Sequence, residues 1–433
     1  MTGLKVTVVG AGSTYTPELV SGLAAQREHL QVDELVLFDV DGARLEVVGG
    51  LAQRMLAAQG LDVTTTLTTD RHRALDGADA VLLQLRVGGQ AARLGDETFP
   101  GACGCVGQET TGAGGAAKAL RTVPVVLEIA EEVRRRSAPG AWVVDFTNPV
   151  GIVTRALLDH GHRAVGLCNY AIGVQRWAAR LLGVDVADPE QLRRVSVDPA
   201  GLNHLSWTRR VLLDGEDVLP RILDEHLDDV VAQFPFPAEL VRLSGTIPSY
   251  YLHYFYEHDR VVAQQRTERP RAAVVADLEA ELLRAYADPT LATKPAALEG
   301  RGGAYYSEAA VDLLASLLGD RPGTHVVDVR NARVVDGRVE PVVAGLSVDD
   351  VVEVPCEVSS AGGGTVRPLP QAPLAPEALG LVQHVTAYEQ LIGRAAVTRD
   401  DDDVRRALLA HPLVGQWDLV EQLLPGVTRR AGS

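Results

Sequence analysis

Cysteine is scarce in this chain. Cys103, Cys105, Cys168 and Cys356 are all there are, and no two of them form a CxxC pair. That excludes a disulfide-built scaffold and argues for a reducing cytosol. Aromatic residues make up only 5% of the chain, so Leu, Val and Ala must fill most of the core. No apolar run approaches the roughly 18 residues a membrane span needs. The opening MTGLKVTVVG also lacks the apolar core of a signal peptide, so the expected location is cytoplasmic. Lysine occurs only at 5, 118 and 294, which reads as genome composition bias. Positive charge is short overall: 41 Lys and Arg against 57 Asp and Glu leave −16. Such a chain repels phosphate backbones and anionic lipid, which excludes nucleic acid and membrane as general partners. A small anionic ligand would need a local cluster of Arg.

What is present is length and rhythm. With 433 residues and 42 glycines there is chain for two or three domains, each with its own core. Up to residue 170, short apolar runs alternate with amphipathic segments of helix length. Strands are expected at 5–9, 34–39, 63–66, 80–85, 141–146 and 164–168, and helices at 17–26, 43–59, 115–136 and 151–160. Continuous apolar strands separated by helices imply a parallel sheet covered on both faces. The fold class is therefore α/β, a Rossmann-type doubly wound sheet in 1–170. It is followed by an α+β domain in 171–433 that would carry substrate and oligomer contacts. In that second part, helices are expected at 175–182, 216–233, 271–287, 307–318, 376–392 and 402–424. Strands are expected at 325–330 and 350–354, and a Gly/Pro-rich surface loop at 359–376.

The first strand runs into Gly10-Ala11-Gly12-Ser13-Thr14-Tyr15, and a helix opens at Pro17. Glycines there allow a tight turn and bring backbone N–H groups close to a pyrophosphate. Tyr15 stands where GxGxxG has its third glycine, so the fingerprint is incomplete, and a lone GxG is also an ordinary turn. Asp39 ends the second strand, where a carboxylate accepts from ribose hydroxyls and repels a 2′-phosphate, favouring NAD. Its alternative role is a helix cap.

Other strand ends carry unusual polarity: Arg86 to Arg93, Gly107 to Gly112, Thr147-Asn148-Pro149 and Cys168-Asn169, with Asn203-His204 further on. Cys168 and His204 together offer two ligands for a divalent metal, leaving positions open for substrate. Taken singly, each is as well explained as a buried structural residue. Arg93 is either a fork for phosphate or carboxylate, or an ordinary ion pair.

These blocks resemble a known family, the family 4 glycoside hydrolases. Its members depend on NAD and a metal and include 6-phospho-β- and 6-phospho-α-glucosidases. The resemblance runs nearly end to end: GAGSTYTPELV at 10–20, LRVGGQAARLGDE at 85–97, GQETTGAGG at 107–115, FTNPVGIVT at 146–154, GLCN at 166–169, NHLSW at 203–207, IPSYYLHYFY at 247–256 and RGGAYYSEAA at 301–310. It implies that Cys168 and His204 hold a divalent ion, usually Mn2+, and that the Gly10–Thr14 turn with Asp39 holds NAD. It places Arg93 at the sugar 6-phosphate, with Asn148 and Asn169 as further substrate contacts. It makes Glu109 a residue that tunes a catalytic Tyr within 250–256. Tyr251 is taken as that base, with Tyr250, Tyr254 and Tyr256 as alternatives. Arg271 is taken as a substrate contact and as a cation able to lower the pKa of the tyrosine. The implied reaction oxidises C3 of the sugar with NAD, removes the C2 proton, eliminates the aglycone, adds water and returns the hydride. Dimers or tetramers are usual in the family.

Two departures bear on the substrate. Asp follows the Cys in α-acting members, whereas here Asn169 follows, which points to a β-glycoside. The β-type continuation CNxP is replaced by Cys168-Asn169-Tyr170-Ala171. The competing readings are an α-glycosidase or a non-phosphorylated substrate within the family. Outside it stand an NAD-linked 2-hydroxy-acid dehydrogenase and a silent NAD-binding protein.

Overall fold

The computed structural model describes residues 3–301 and 305–430. Residues 302–304 of the 301–310 block thus lie outside the described residues. Six strands build the first part of the sheet: β1 Lys5–Val9, β2 Glu34–Phe38, β3 Thr64–Thr68, β4 Ala80–Leu83, β5 Trp142–Asp145 and β6 Ala164–Gly166. They lie parallel in the order β6-β5-β4-β1-β2-β3. Val81, Val143 and Val144 are buried to within 1%, which is why β4 and β5 read as apolar runs. Helices cover both faces, and the one at Gly112–Arg136 buries a stripe of Ala, Leu and Val.

The second part joins the same sheet. Its strands are β7 Val195–Leu202, β8 Leu205–Leu213, β9 Glu216–Asp217, β10 Ile247–Pro248, β11 Gly323–Arg330, β12 Arg333–Val335, β13 Arg338–Glu340, β14 Val351–Ser359 and β15 Thr365–Pro368. β11 pairs antiparallel with β6, and the order continues outward as β14-β7-β8-β10. β12 and β13 form a separate hairpin. Among the described residues, no helix is long and apolar enough to cross a membrane.

Several expectations change. The helix expected at 216–233 opens instead as β9, paired back on β8 through an Asp214-Gly215 turn with both residues at positive φ. Asp-Gly is the residue pair such a hairpin favours. Helices Leu219–Glu225 and Leu227–Gln233 follow, the first opening with Pro220 in its first turn. The segment 402–424 splits into Asp401–Ala410 and Trp417–Arg430, with Pro412 and Gly415 between them. The loop at 359–376 contains β15, laid against the end of β14. β7 and β8 were not expected; in β7, Asp198, Pro199 and Gly201 break the alternation, and the strand carries a register shift there. A helix at Gly89–Thr98 follows β4, where the sequence suggested only a polar strand end.

Candidate active site

The glycine turn behaves as its residue types require. Gly10 has φ +89, and a Cβ on it would stand 2.8 Å from the Gln84 carbonyl oxygen. A Cβ on Gly12 would stand 2.8 Å from Asp39 Oδ2, because the Gly12 N–H donates to that oxygen at 2.8 Å. Asp39 is therefore not the helix cap. That role falls to Asp41, which accepts from Arg44 N at 3.0 Å. Thr14 is fully buried, and its carbonyl accepts from Tyr286 Oη at 2.8 Å. Ser13 and Tyr15 reach past the turn onto the wall of a cavity of about 940 Å³. Tyr15 lies under the guanidinium of Arg301 at 4.0 Å. The missing third glycine has thus become a cavity wall.

The same cavity is lined by Arg93, Asn148, Asn169, His204, Tyr251 and Arg271. Arg93 Nε donates to Glu97 Oε1 at 2.7 Å and lies 3.1 Å from Glu109 Oε1. It is ion-paired and on the cavity wall at once. Glu109 is buried among three cations, Arg86, Lys118 and Arg93. Burial alone would raise its pKa, but those charges prevail and hold the carboxyl well below its usual range. Burial also brings the Lys118 ammonium down to about 8, with Glu109 opposing. Asn148 Oδ1 is buried without a hydrogen-bond partner among the described residues, a free acceptor on the cavity wall.

Tyr251 sits in the short 3-10 turn Tyr250–Leu252, and its ring stacks on His204, centroids 3.6 Å apart and planes 9° from parallel. His204 occupies the turn between β7 and β8 at φ +64, its Nδ1 3.3 Å from Thr110 Oγ1. Burial lowers this imidazole to about 3, so it is neutral at physiological pH, the form that binds metals. Cys168 is 5% exposed, and burial, with Glu353 adding, keeps its thiol well above the ordinary value. Burial raises Tyr251 too, with the charges of Cys168, Tyr254 and Glu109 adding, while Arg93 acts downward. Arg271, one of the two cations expected at this tyrosine beside the metal, instead opposes the burial that raises Tyr250 and Tyr15. Its Nη2 donates to the carbonyls of Gly300 and Arg301. Of the alternative tyrosines, Tyr250 is 48% exposed, and Tyr256 accepts from Trp207 Nε1 at 3.2 Å.

Among the described residues, no group of three or more His, Cys, Asp or Glu is arranged to hold a metal. Cys168 and His204 are the two candidate donors, one a thiol and the other an imidazole. A thiol and an imidazole, both kept neutral by burial and both bearing on Tyr251, are donors suited to a borderline divalent ion. A cation would reverse the burial cost of the thiolate.

The model of the family 4 glycosyl hydrolases matches residues 5–184, and that of the family's C-terminal domain matches 199–414. The chain belongs to this family. A probable 6-phospho-beta-glucosidase of Bacillus subtilis is 38% identical to this family 4 hydrolase, over 98% of this chain and 95% of the relative. The 6-phospho-beta-glucosidase of Escherichia coli is 35% identical, over 95% and 91%. A crystal structure of the Thermotoga maritima 6-phospho-beta glucosidase with manganese, NAD+ and glucose-6-phosphate superposes with TM-score 0.87 at 32% identity, covering 98% of both chains.

Sequence reasoning assigned no role to three residues around this cavity. Arg86 and Lys118 complete the cation cluster on Glu109, and Arg301 covers Tyr15. Lys118 carried a signal that was misread. In a chain whose bases are almost all Arg, a lysine on the buried face of a helix calls for its own explanation, and Glu109 supplies it.

Proposed function

We propose that the chain hydrolyses 6-phospho-β-glucosides, using NAD and a divalent cation, Mn2+ by preference. The observation that carries this reading is the Tyr251–His204 stack in one cavity with Ser13 of the glycine turn, Arg93 and Asn148. Residues 10–14 and Asp39 would hold NAD, and Cys168 with His204 the cation. When bound, these groups supply a reversible hydride acceptor for a sugar carbon and positive charge for the carbonyl so formed. The protein's own residues do the rest. Arg93 lends positive charge for the 6-phosphate while Glu97 and Glu109 fix its guanidinium, and Asn148 Oδ1 is a free acceptor for a sugar hydroxyl. The Tyr251 phenol oxygen takes the C2 proton. Its pKa, raised by burial, must come down for that role, and Arg93 already acts in that direction. Asn169 puts an amide where an acid would protonate the leaving group, which favours a β-linked substrate whose aglycone leaves without that help.

The test is release of nitrophenol from its β-glucoside 6-phosphate, with and without NAD+ and Mn2+, beside the α-anomer and the unphosphorylated glycoside. Cleavage that needs both additions, without accumulation of NADH, is expected. NADH accumulating without cleavage would establish a dehydrogenase, and cleavage of the plain glycoside alone would overturn the role of Arg93.

A further inference from the structure

Behind the cavity, four strands meet in one row of paired residues. Gly166 of β6 pairs with Asp328 of β11, Asp328 with Glu353 of β14, and Glu353 with Gly201 of β7. Directly paired residues present their side chains on the same face, so two carboxyls stand side by side at 0% and 2% exposure. Like charges so placed repel, and burial adds to the cost. Gly166 makes room for Asp328 at one end, and Gly201 lets β8 approach closely at the other. A Cβ on Gly166 would stand 2.9 Å from Asp328 Cβ, and one on Gly201 would stand 2.1 Å from the Leu205 carbonyl oxygen.

One side chain holds both acids. Asn203 Nδ2 donates to Asp328 Oδ2 at 3.1 Å and to Glu353 Oε2 at 3.3 Å. Ser206 Oγ donates to Glu353 Oε1 at 2.6 Å. Asn203 and Ser206 bracket His204, whose left-handed φ of +64 costs a residue other than glycine about 1 kcal/mol. At the other end of the row, Cys168 lies two residues beyond Gly166. The acid pair is thus tied directly to the turn that carries one candidate ligand and sits across the ladder from the strand that delivers the other.

We propose that Asp328 and Glu353, gripped by Asn203 and Ser206, position His204 and Cys168 for a divalent cation. This rests on the reading of Cys168 and His204 as its ligands. Asp328 and Glu353 do not touch the ion. They hold the turn in its strained conformation, and the geometry between the two ligands depends on them. Supports of this kind behind metal ligands are typically worth ten- to a hundredfold in affinity.

The test is Mn2+ affinity, read from the electron paramagnetic resonance signal of the free ion, together with NAD affinity and the unfolding midpoint. Asn203→Ala and Glu353→Gln are expected to weaken Mn2+ binding about ten- to a hundredfold and to leave NAD affinity within about twofold. Asn203→Ala leaves the strand ladder and both carboxyls in place, so it carries the test alone should Glu353→Gln fail to fold. Mn2+ affinity unchanged in Asn203→Ala, with or without a lower midpoint, would assign the row to stability and overturn the proposal. Cys168→Ser and His204→Gln run in parallel. If they lose Mn2+ while Asn203→Ala keeps it, only the positioning role fails. If they too keep it, the ligand reading fails and the positioning role with it.

Discussion

The imidazole of His204 lies flat against the phenol ring of Tyr251, 3.6 Å between centroids. A residue proposed to bind a cation and a residue proposed to move a proton are thereby fixed face to face. Tyr251→Phe preserves the ring and removes only the oxygen. Turnover of the phosphorylated β-glucoside should fall by roughly 10²- to 10⁴-fold, the range for loss of a positioned acid or base, while Mn2+ and NAD affinities stay within about twofold. Tyr251→Ala also removes the face on which His204 rests and should weaken Mn2+ binding as well. Steady-state rates and Mn2+ titration of the two variants separate these effects. Full activity in Tyr251→Phe would move the base elsewhere.

Glu109 is ion-paired to Arg86, Lys118 and Arg93 within one buried cluster, where Glu97 also pairs with Arg93. Glu109→Gln leaves three cations facing an amide. Breaking a buried ion pair from one side costs roughly 3–5 kcal/mol, so a large drop in the urea midpoint is expected. A rise in KM for the phosphorylated substrate should accompany it as Arg93 loses an anchor. Removing a cation as well, in Glu109→Gln/Lys118→Met, should recover part of the stability. Double-mutant-cycle unfolding checks this, and purely additive losses would show that the cluster is not coupled.

The first half of the fold was legible because β1, β2, β4, β5 and β6 are buried parallel strands, and such strands show in sequence as largely apolar runs. β7 was not, since Asp198, Pro199 and Gly201 serve a register shift and a crowded contact that no periodicity announces. The site was legible as blocks but not as geometry. Tyr250, Tyr251 and Tyr254 all line the cavity, and what singles out Tyr251 is contact with a histidine from another hairpin. Glu353 was hidden for a similar reason: within β14 it reads as one polar residue in a half-buried strand, and its partners Asp328 and Asn203 come from distant segments.

Gly12 donates its N–H to Asp39 Oδ2, the same atom a Cβ there would approach to 2.8 Å. Gly12→Ala therefore displaces the carboxylate proposed to hold the ribose. NAD affinity should fall at least tenfold, about 1.4 kcal/mol, with only a small change in unfolding midpoint. Calorimetric titration with NAD decides it. Unchanged affinity would mean that the dinucleotide does not rely on this turn and acid.

Glu389 lies in the helix Pro376–Thr398 at 6% exposure, and its Oε2 has no hydrogen-bond partner among the described residues. Burial raises its carboxyl from 4.5 to about 7, with Arg155 opposing and Asp350 adding. The folded chain therefore binds more protons at this group than the unfolded chain does between those two values. Its contribution to stability is full at or below pH 4.5 and is lost as pH rises through 7. Glutamine cannot ionise and mimics the protonated acid. The melting temperature of Glu389→Gln should stay near that of the wild type at pH 5 and exceed it by pH 8, the gain approaching about 1.4 kcal/mol per unit of raised pKa. Buried histidines such as His204 and His411, lowered to about 3 by burial, destabilise both proteins alike as pH falls below 6.5 and cancel in the difference. Parallel thermal scans at the two pH values measure that difference, and a gap that does not change with pH would show that Glu389 titrates normally.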